Sequence, residues 1–182
     1  SLESDLAGVI CMSALDEGSN PDSVHIPLGL RDTLRLAQAL ADSSVTAPLW
    51  IVSQGAVSTG SGEKLENPRQ TLVWGLGRAL GLERFDGGAF MLDLPPDLDA
   101  ASLKTIRHAL STRDHEDQVA VRGANRFVRR LQRHLPDSEA KPWQPRGTIL
   151  ITGGTGALGQ QAARWLAGAG AQHLILTSRR GM

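Results

Sequence analysis

The stretch ILITGGTGALG, from Ile149 to Gly159, decides the fold. A short apolar run meets glycines at Gly153, Gly154 and Gly156, and a helical pattern starts at once. Strand, glycine turn and helix in that order open a βαβ unit, and HLILT, His173 to Thr177, supplies its second strand. A phosphate needs unobstructed backbone N–H groups and the positive end of a helix, and both occur where such a strand gives way to such a helix. Glycines also make plain turns, so the motif draws its weight from the strand before it and the helix after it. Gly153, Gly154, Thr155, Gly156, Ala157 and Leu158 are therefore candidate dinucleotide-binding residues, with Gly159 bringing helix against strand. The helix is expected to run from Gly156 to Ala167 and to bury Leu158, Ala162, Trp165 and Leu166.

The end of the second strand chooses the dinucleotide. A carboxylate there would favour the free ribose hydroxyl of NADH, but this chain reads TSRRG and places Ser178, Arg179 and Arg180 at that point. Hydroxyl and guanidinium donors suit a 2′-phosphate, which makes NADPH the expected cofactor. The plainer alternative is ordinary surface charge.

Upstream, strands and helices alternate. LAGVICM, Leu6 to Met12, and PLWIVS, Pro48 to Ser53, read as buried strands, and Leu30, Leu34, Ala37 and Ala41 recur between them at helical spacing, with Leu36 and Leu40 widening the stripe. Asn67 and Pro68 offer an N-cap and a first helical position, opening a helix with Leu72, Leu76 and Leu80 on one face. GAFMLDLP is a further strand, a helix follows around Ala101 to Leu110, and DQVAVRG and RFVRRL form two shorter strands joined by a turn at Gly123 to Asn125. Residues 135–146 hold proline and no apolar period, and read as a linker. The fold class is α/β, with a Rossmann-like, mostly parallel sheet.

Composition excludes several functions. Nineteen Lys and Arg balance nineteen Asp and Glu, so no whole-chain field draws the protein to nucleic acid or to a membrane. The run Arg126, Arg129, Arg130, Arg133 is either a phosphate or partner patch or the wet face of a strand, and the neutral total favours the second. DHED, Asp114 to Asp117, reads as a solvated loop, and no His, Cys or acidic spacing suggests a metal. The single cysteine, Cys11, forbids an internal disulfide, and with no targeting or spanning segment a cytoplasmic location is expected.

The blocks VWGLGRALGLE, EDQVAVR, GTILITGGTGALG and HLILTSRRG, in that order, resemble the ketoreductase region of modular type I polyketide synthases, which has the short-chain dehydrogenase/reductase fold. The resemblance implies a truncated, non-catalytic structural subdomain over 1–134, the linker, and the first βαβ unit of an NADP-binding catalytic subdomain over 147–182. It also implies that both ends of the region extend beyond this sequence. The implied reaction reduces a β-ketoacyl group on an acyl carrier protein with NADPH, the implied partners being that carrier, the rest of the catalytic subdomain and neighbouring synthase domains. The short linker implies a module without an inserted enoylreductase. The family's catalytic lysine, serine, tyrosine and asparagine would lie past Met182, and the chain has no tyrosine, so no catalytic residue is assigned. Ser53 ends a strand much as a reductase serine does, but the helix after it has no Tyr-x-x-x-Lys pair, and its role is read as structural. The competing readings are a scaffold whose glycine turn is idle, and a stand-alone reductase or sugar-nucleotide epimerase, which the long preceding half-domain disfavours.

Overall fold

The computed structural model describes residues 6–60, 62–83, 87–112, 114–133, 135 and 143–179, and the chain forms two compact units, Ser1–Leu131 and Gln132–Met182. His134, Arg180 and most of the linker expected over 135–146 lie outside the described residues.

In unit 1 the apolar runs become β1 (Val9–Cys11), β2 (Leu49–Gln54), β3 (Ala89–Leu94) and β4 (Gln118–Arg122), which lie side by side in chain order and pair in parallel. β5 (Asn125–Val128) turns back at Gly123 and pairs antiparallel with β4. Three helices make the crossovers: α1 (Leu28–Asp42), α2 (Thr71–Leu82) and α3 (Ala100–Ser111). α1 and α2 pack on one face of the sheet, over Cys11, Leu49, Ile51 and Met91. α3 packs on the other, over Val52, Leu92, Val119 and Val121. The chain steps in one direction across the sheet, so the β3–α3–β4 connection has the opposite hand to the two before it, a rare departure from the uniform hand of such units.

Several expected helix faces are shifted. α1 buries Gly29, Thr33, Ala37 and Leu40, while Leu34 is exposed. α2 buries Val73, Trp74 and Gly77, with Leu80 partly buried and Leu72 exposed. Small residues win these positions because the helices lie close to their neighbours. A Cβ on Gly29 would stand 2.4 Å from the Ser13 carbonyl oxygen and 2.7 Å from the Ala14 Cα. The Thr33 hydroxyl one turn on is accommodated without an orphan donor, because it donates to the Gly29 carbonyl at 2.7 Å. Asn67 does not cap with its side chain, which donates to the Gln54 carbonyl; Pro68–Gln70 form a 3-10 turn leading into α2.

Unit 2 is a βαβ unit of β6 (Thr148–Thr152), α4 (Ala157–Gly168) and β7 (His173–Thr177), with β6 and β7 parallel and in register from Thr148 and His173. Of the stripe expected on α4 only Leu166 is fully buried; Leu158 is 88% and Trp165 62% exposed. The inward face is instead Gly159, Ala162, Ala163 and Leu166, the i, i+3, i+4, i+7 set one step round the helix. Trp165 stacks with Trp143 at a centroid distance of 5.9 Å, so the stretch expected to be linker contributes a contact to this unit.

Gly29→Ala is expected to destabilise unit 1 by about 1–3 kcal/mol, because the obstructing atoms are backbone and cannot rotate away. A lower urea midpoint at unchanged slope would show it.

Candidate functional site

In open parallel sheets ligands gather at the carboxyl ends of the strands, and each unit has a polar cluster there. The two clusters differ in kind.

In unit 1 the cluster centres on Asp93, which has no exposed surface. Its Oδ1 accepts the Ser53 hydroxyl at 2.6 Å and the Ala56 N–H at 2.9 Å, and its Oδ2 accepts from Arg122 at 2.8 Å. The Trp74 indole N–H donates to the Ser53 oxygen at 2.9 Å. Arg122 continues outward, donating to the Val57 and Val121 carbonyls, each at 2.8 Å, and pairing with Glu63. Burial pushes the Glu63 carboxyl up, but the Thr59 N–H and hydroxyl and the Arg122 guanidinium together hold it below its ordinary value. Burial pulls the Arg122 guanidinium down, and Glu63 and Asp93 more than offset this. The Ser53 hydroxyl donates to a carboxylate, accepts an indole N–H and is wholly buried, so it has no surface to offer a substrate. It is a structural hydroxyl, as its sequence context implied.

Two arginines of the basic run that begins on β5 are matched by acids. Arg126 pairs with Asp114, Arg130 with Glu116, and Arg129 donates to the Gln118 side chain at 3.1 Å. The expected solvated loop at 114–117 therefore supplies counter-ions to Arg126 and Arg130, which removes the phosphate-patch alternative for these two arginines. The Arg126 guanidinium holds the Asp114 carboxyl down at about 2, against the opposing effect of burial.

In unit 2 the glycine turn and the end of β7 form a cleft of about 530 Å³, lined by Thr152, Gly153, Thr155, Gly156, Thr177, Ser178 and Arg179. Of the residues expected from the sequence, the structure thus brings Gly153, Thr155, Gly156, Ser178 and Arg179 together. Gly154 is buried beneath the turn, Ala157 and Leu158 open α4 outside the cleft lining, and Arg180 lies outside the described residues. Gly153 holds φ at +69°, which L side chains resist, and a Cβ on Gly159 would come within 2.4 Å of the Gly153 carbonyl oxygen. Two amides expected to face a ligand are occupied: the Gly154 N–H donates to the Thr177 carbonyl and the Gly156 N–H to the Gly153 carbonyl, each at 3.0 Å. The Thr155, Ala157 and Leu158 N–H groups have no acceptor among the described residues. α4 has no side-chain cap and no acid in its first turn. Among the described residues Arg179 forms no ion pair, no helix is long and apolar enough to cross a membrane, and no group of His, Cys, Asp and Glu could hold a metal.

Comparison with known proteins shows the family. Residues 3–131 match the Rossmann fold domain of the polyketide synthase extender module SpnB, and residues 147–182 match the KR domain. The chain is 46% identical over 176 residues to polyketide synthase GfsA of Streptomyces halstedii, covering 96% of this chain and 2% of that protein. It is 50% identical over 147 residues to the pikromycin synthase component PikAIII of Streptomyces venezuelae, covering 79% of this chain and 9% of that one. Among solved structures it is similar to A-type ketoreductases from a modular polyketide synthase, with TM-score 0.80 and 41% identity over 97% of this chain and 38% of that one. The first ketoreductase of the tylosin synthase gives TM-score 0.75 and 37% identity, covering 95% of this chain and 36% of that one. The chain belongs to the ketoreductase region of modular polyketide synthases, with unit 1 the Rossmann fold domain that precedes the KR domain. The family's fold is a nicotinamide-cofactor fold, and its members lie within multidomain synthases.

Two outcomes follow from the clusters in unit 1. Asp93→Ala leaves the Arg122 cation, the Ser53 hydroxyl and the Ala56 N–H without their shared acceptor and is expected to cost about 3–5 kcal/mol, whereas Ser53→Ala costs about 1–3 kcal/mol, both read from denaturant unfolding. For Asp114 the depressed folded value means that its stabilisation is complete above the unfolded value of ~3.9 and is lost as pH falls through about 2. A carboxyl NMR titration should give that low midpoint, and Arg126→Met should return it toward ~3.9.

Proposed function

We propose that this chain is the part of an NADPH-dependent β-ketoacyl reductase that holds the adenosine end of the cofactor, on a support that does no chemistry. The observation that carries this is the cleft where the glycine turn meets Ser178 and Arg179. The donors present fit the group: main-chain N–H groups at the start of α4 suit a diphosphate, and a guanidinium at the end of β7 suits a 2′-phosphate. Gly153 and Gly159 keep the turn tight enough for the backbone itself to meet the phosphates. When bound, the nicotinamide supplies the hydride that turns a β-ketoacyl thioester into its β-hydroxy product. The residues of this chain bind and orient, and none is assigned a proton transfer.

In this reading residues 1–134 are the structural subdomain, 135–146 the linker and 147–182 the opening of the catalytic subdomain. Unit 1 supports it with a buried cluster whose donors and acceptors are mutually satisfied. The partner would be an acyl carrier protein bearing the β-ketoacyl chain, together with the rest of the synthase, in the cytoplasm. A scaffold with an idle turn is favoured by one observation only, the two amides that bond within the protein.

Binding to the intact ketoreductase distinguishes the two. Arg179→Ala is expected to weaken NADPH at least ~10-fold and to leave NADH nearly unchanged, since only the 2′-phosphate loses a charged partner. Equal effects on both cofactors would remove the 2′-phosphate assignment, and no binding of either would favour the scaffold.

A further inference from the structure

Gln160 stands in the second turn's approach of α4, outside every motif that the sequence singles out. Its side-chain amide reaches back five residues and donates to the Thr155 carbonyl at 3.0 Å. The peptide that joins Thr155 to Gly156 is therefore held at both ends. Its N–H donates to the Gly153 carbonyl at 3.0 Å, and its C=O, pointing the opposite way in a trans amide, accepts from Gln160. Gly156 follows, and without a Cβ it would let that peptide rotate with little steric resistance. Rotation would swing the Thr155 carbonyl, a residue of the cleft lining, toward the space where an anion would sit. A carbonyl oxygen facing a phosphate repels it, and the same rotation would misdirect the N–H groups on either side.

We infer that Gln160 is a positioning residue for the cofactor's diphosphate: it pins the Thr155–Gly156 peptide so that the turn presents N–H groups, and not a carbonyl, to the phosphates. This rests on the proposal that the cleft holds NADPH. Gln160 touches the backbone and not the ligand, so substitution would raise the fraction of turns in the wrong peptide orientation and lower affinity by that fraction. One neutral hydrogen bond corresponds to about a 3- to 10-fold change.

The test uses the intact ketoreductase and two ligands, NADPH and adenosine 2′-monophosphate, which keeps the 2′-phosphate but lacks the diphosphate. Gln160→Met retains the reach of the side chain and removes the donor, and Gln160→Ala is made in parallel in case either variant folds poorly. The expected result is an NADPH Kd raised about 3- to 10-fold with the adenosine 2′-monophosphate Kd moved less than about twofold. Unchanged NADPH binding in the variants overturns the role of Gln160 and leaves the cofactor assignment standing. Equal weakening of both ligands also overturns it, because general damage to the unit does not distinguish the diphosphate. Failure of the unaltered protein to bind NADPH overturns both.

Discussion

Unit 1 is organised around one buried carboxylate. Asp93 lies near the end of an otherwise apolar central strand, and a buried carboxyl group there is tolerable only if its oxygens are met by donors. The donors come from four places in the chain: Ser53 at the end of β2, Ala56 in the loop after it, Trp74 through Ser53 from α2, and Arg122 at the end of β4. Satisfying Asp93 thus fixes the ends of β2, β3 and β4 relative to one another and draws α2 onto the sheet. Arg122 then extends that order to the loop through Val57 and Glu63, so a segment rich in glycine and serine acquires a defined course.

The sequence made the existence and order of the elements legible, because apolar runs bounded by glycine and proline are local signals. It was less informative about which side of a helix faces the sheet. Counting large apolar residues chose Leu34, Leu72, Leu158 and Trp165, all of which are exposed. Gly29, Gly77 and Gly159, which the expected stripes left out, took the closest contacts, because a Cβ at each would meet neighbouring atoms, while the expected Ala37 and Ala162 did turn inward. The useful signal was therefore a stripe of small residues at helical spacing, read as contact rather than as weakness. The opposite hand of the β3–α3–β4 connection had no local signal at all, because it depends on which face α3 covers and not on anything α3 contains.

The site was legible in part for the same reason. Gly153, Thr155, Gly156, Ser178 and Arg179 could be grouped from sequence because a βαβ unit obliges the turn after its first strand and the end of its second to lie side by side. Which amides remain available could not, since that depends on the Thr177 and Gly153 carbonyls taking two of them. The Asp93 cluster was also missed, although AFMLDL carries its signal: a lone aspartate inside an apolar strand must have a partner somewhere. The partner, Arg122, lies at the end of the next strand of the sheet, 29 residues on, and only the pairing of β3 with β4 makes them neighbours.

The two clusters invite one comparison. Both stand at the carboxyl ends of parallel strands, where loops and helix N-termini concentrate N–H donors and hence positive potential. Such a concentration is stable only when an anion answers it. In unit 1 the protein supplies its own, the Asp93 carboxylate, and the Ala56 N–H, the Ser53 hydroxyl and the Arg122 guanidinium close upon it and leave no space for a ligand. In unit 2, among the described residues, no acidic side chain lines the equivalent cleft and α4 begins without a side-chain cap, so amides of Thr155, Ala157 and Leu158 keep their hydrogen-bonding capacity. The sheet edges are alike in chemistry and differ in where the negative charge comes from, and that difference separates a support from a binding site more directly than the glycines do.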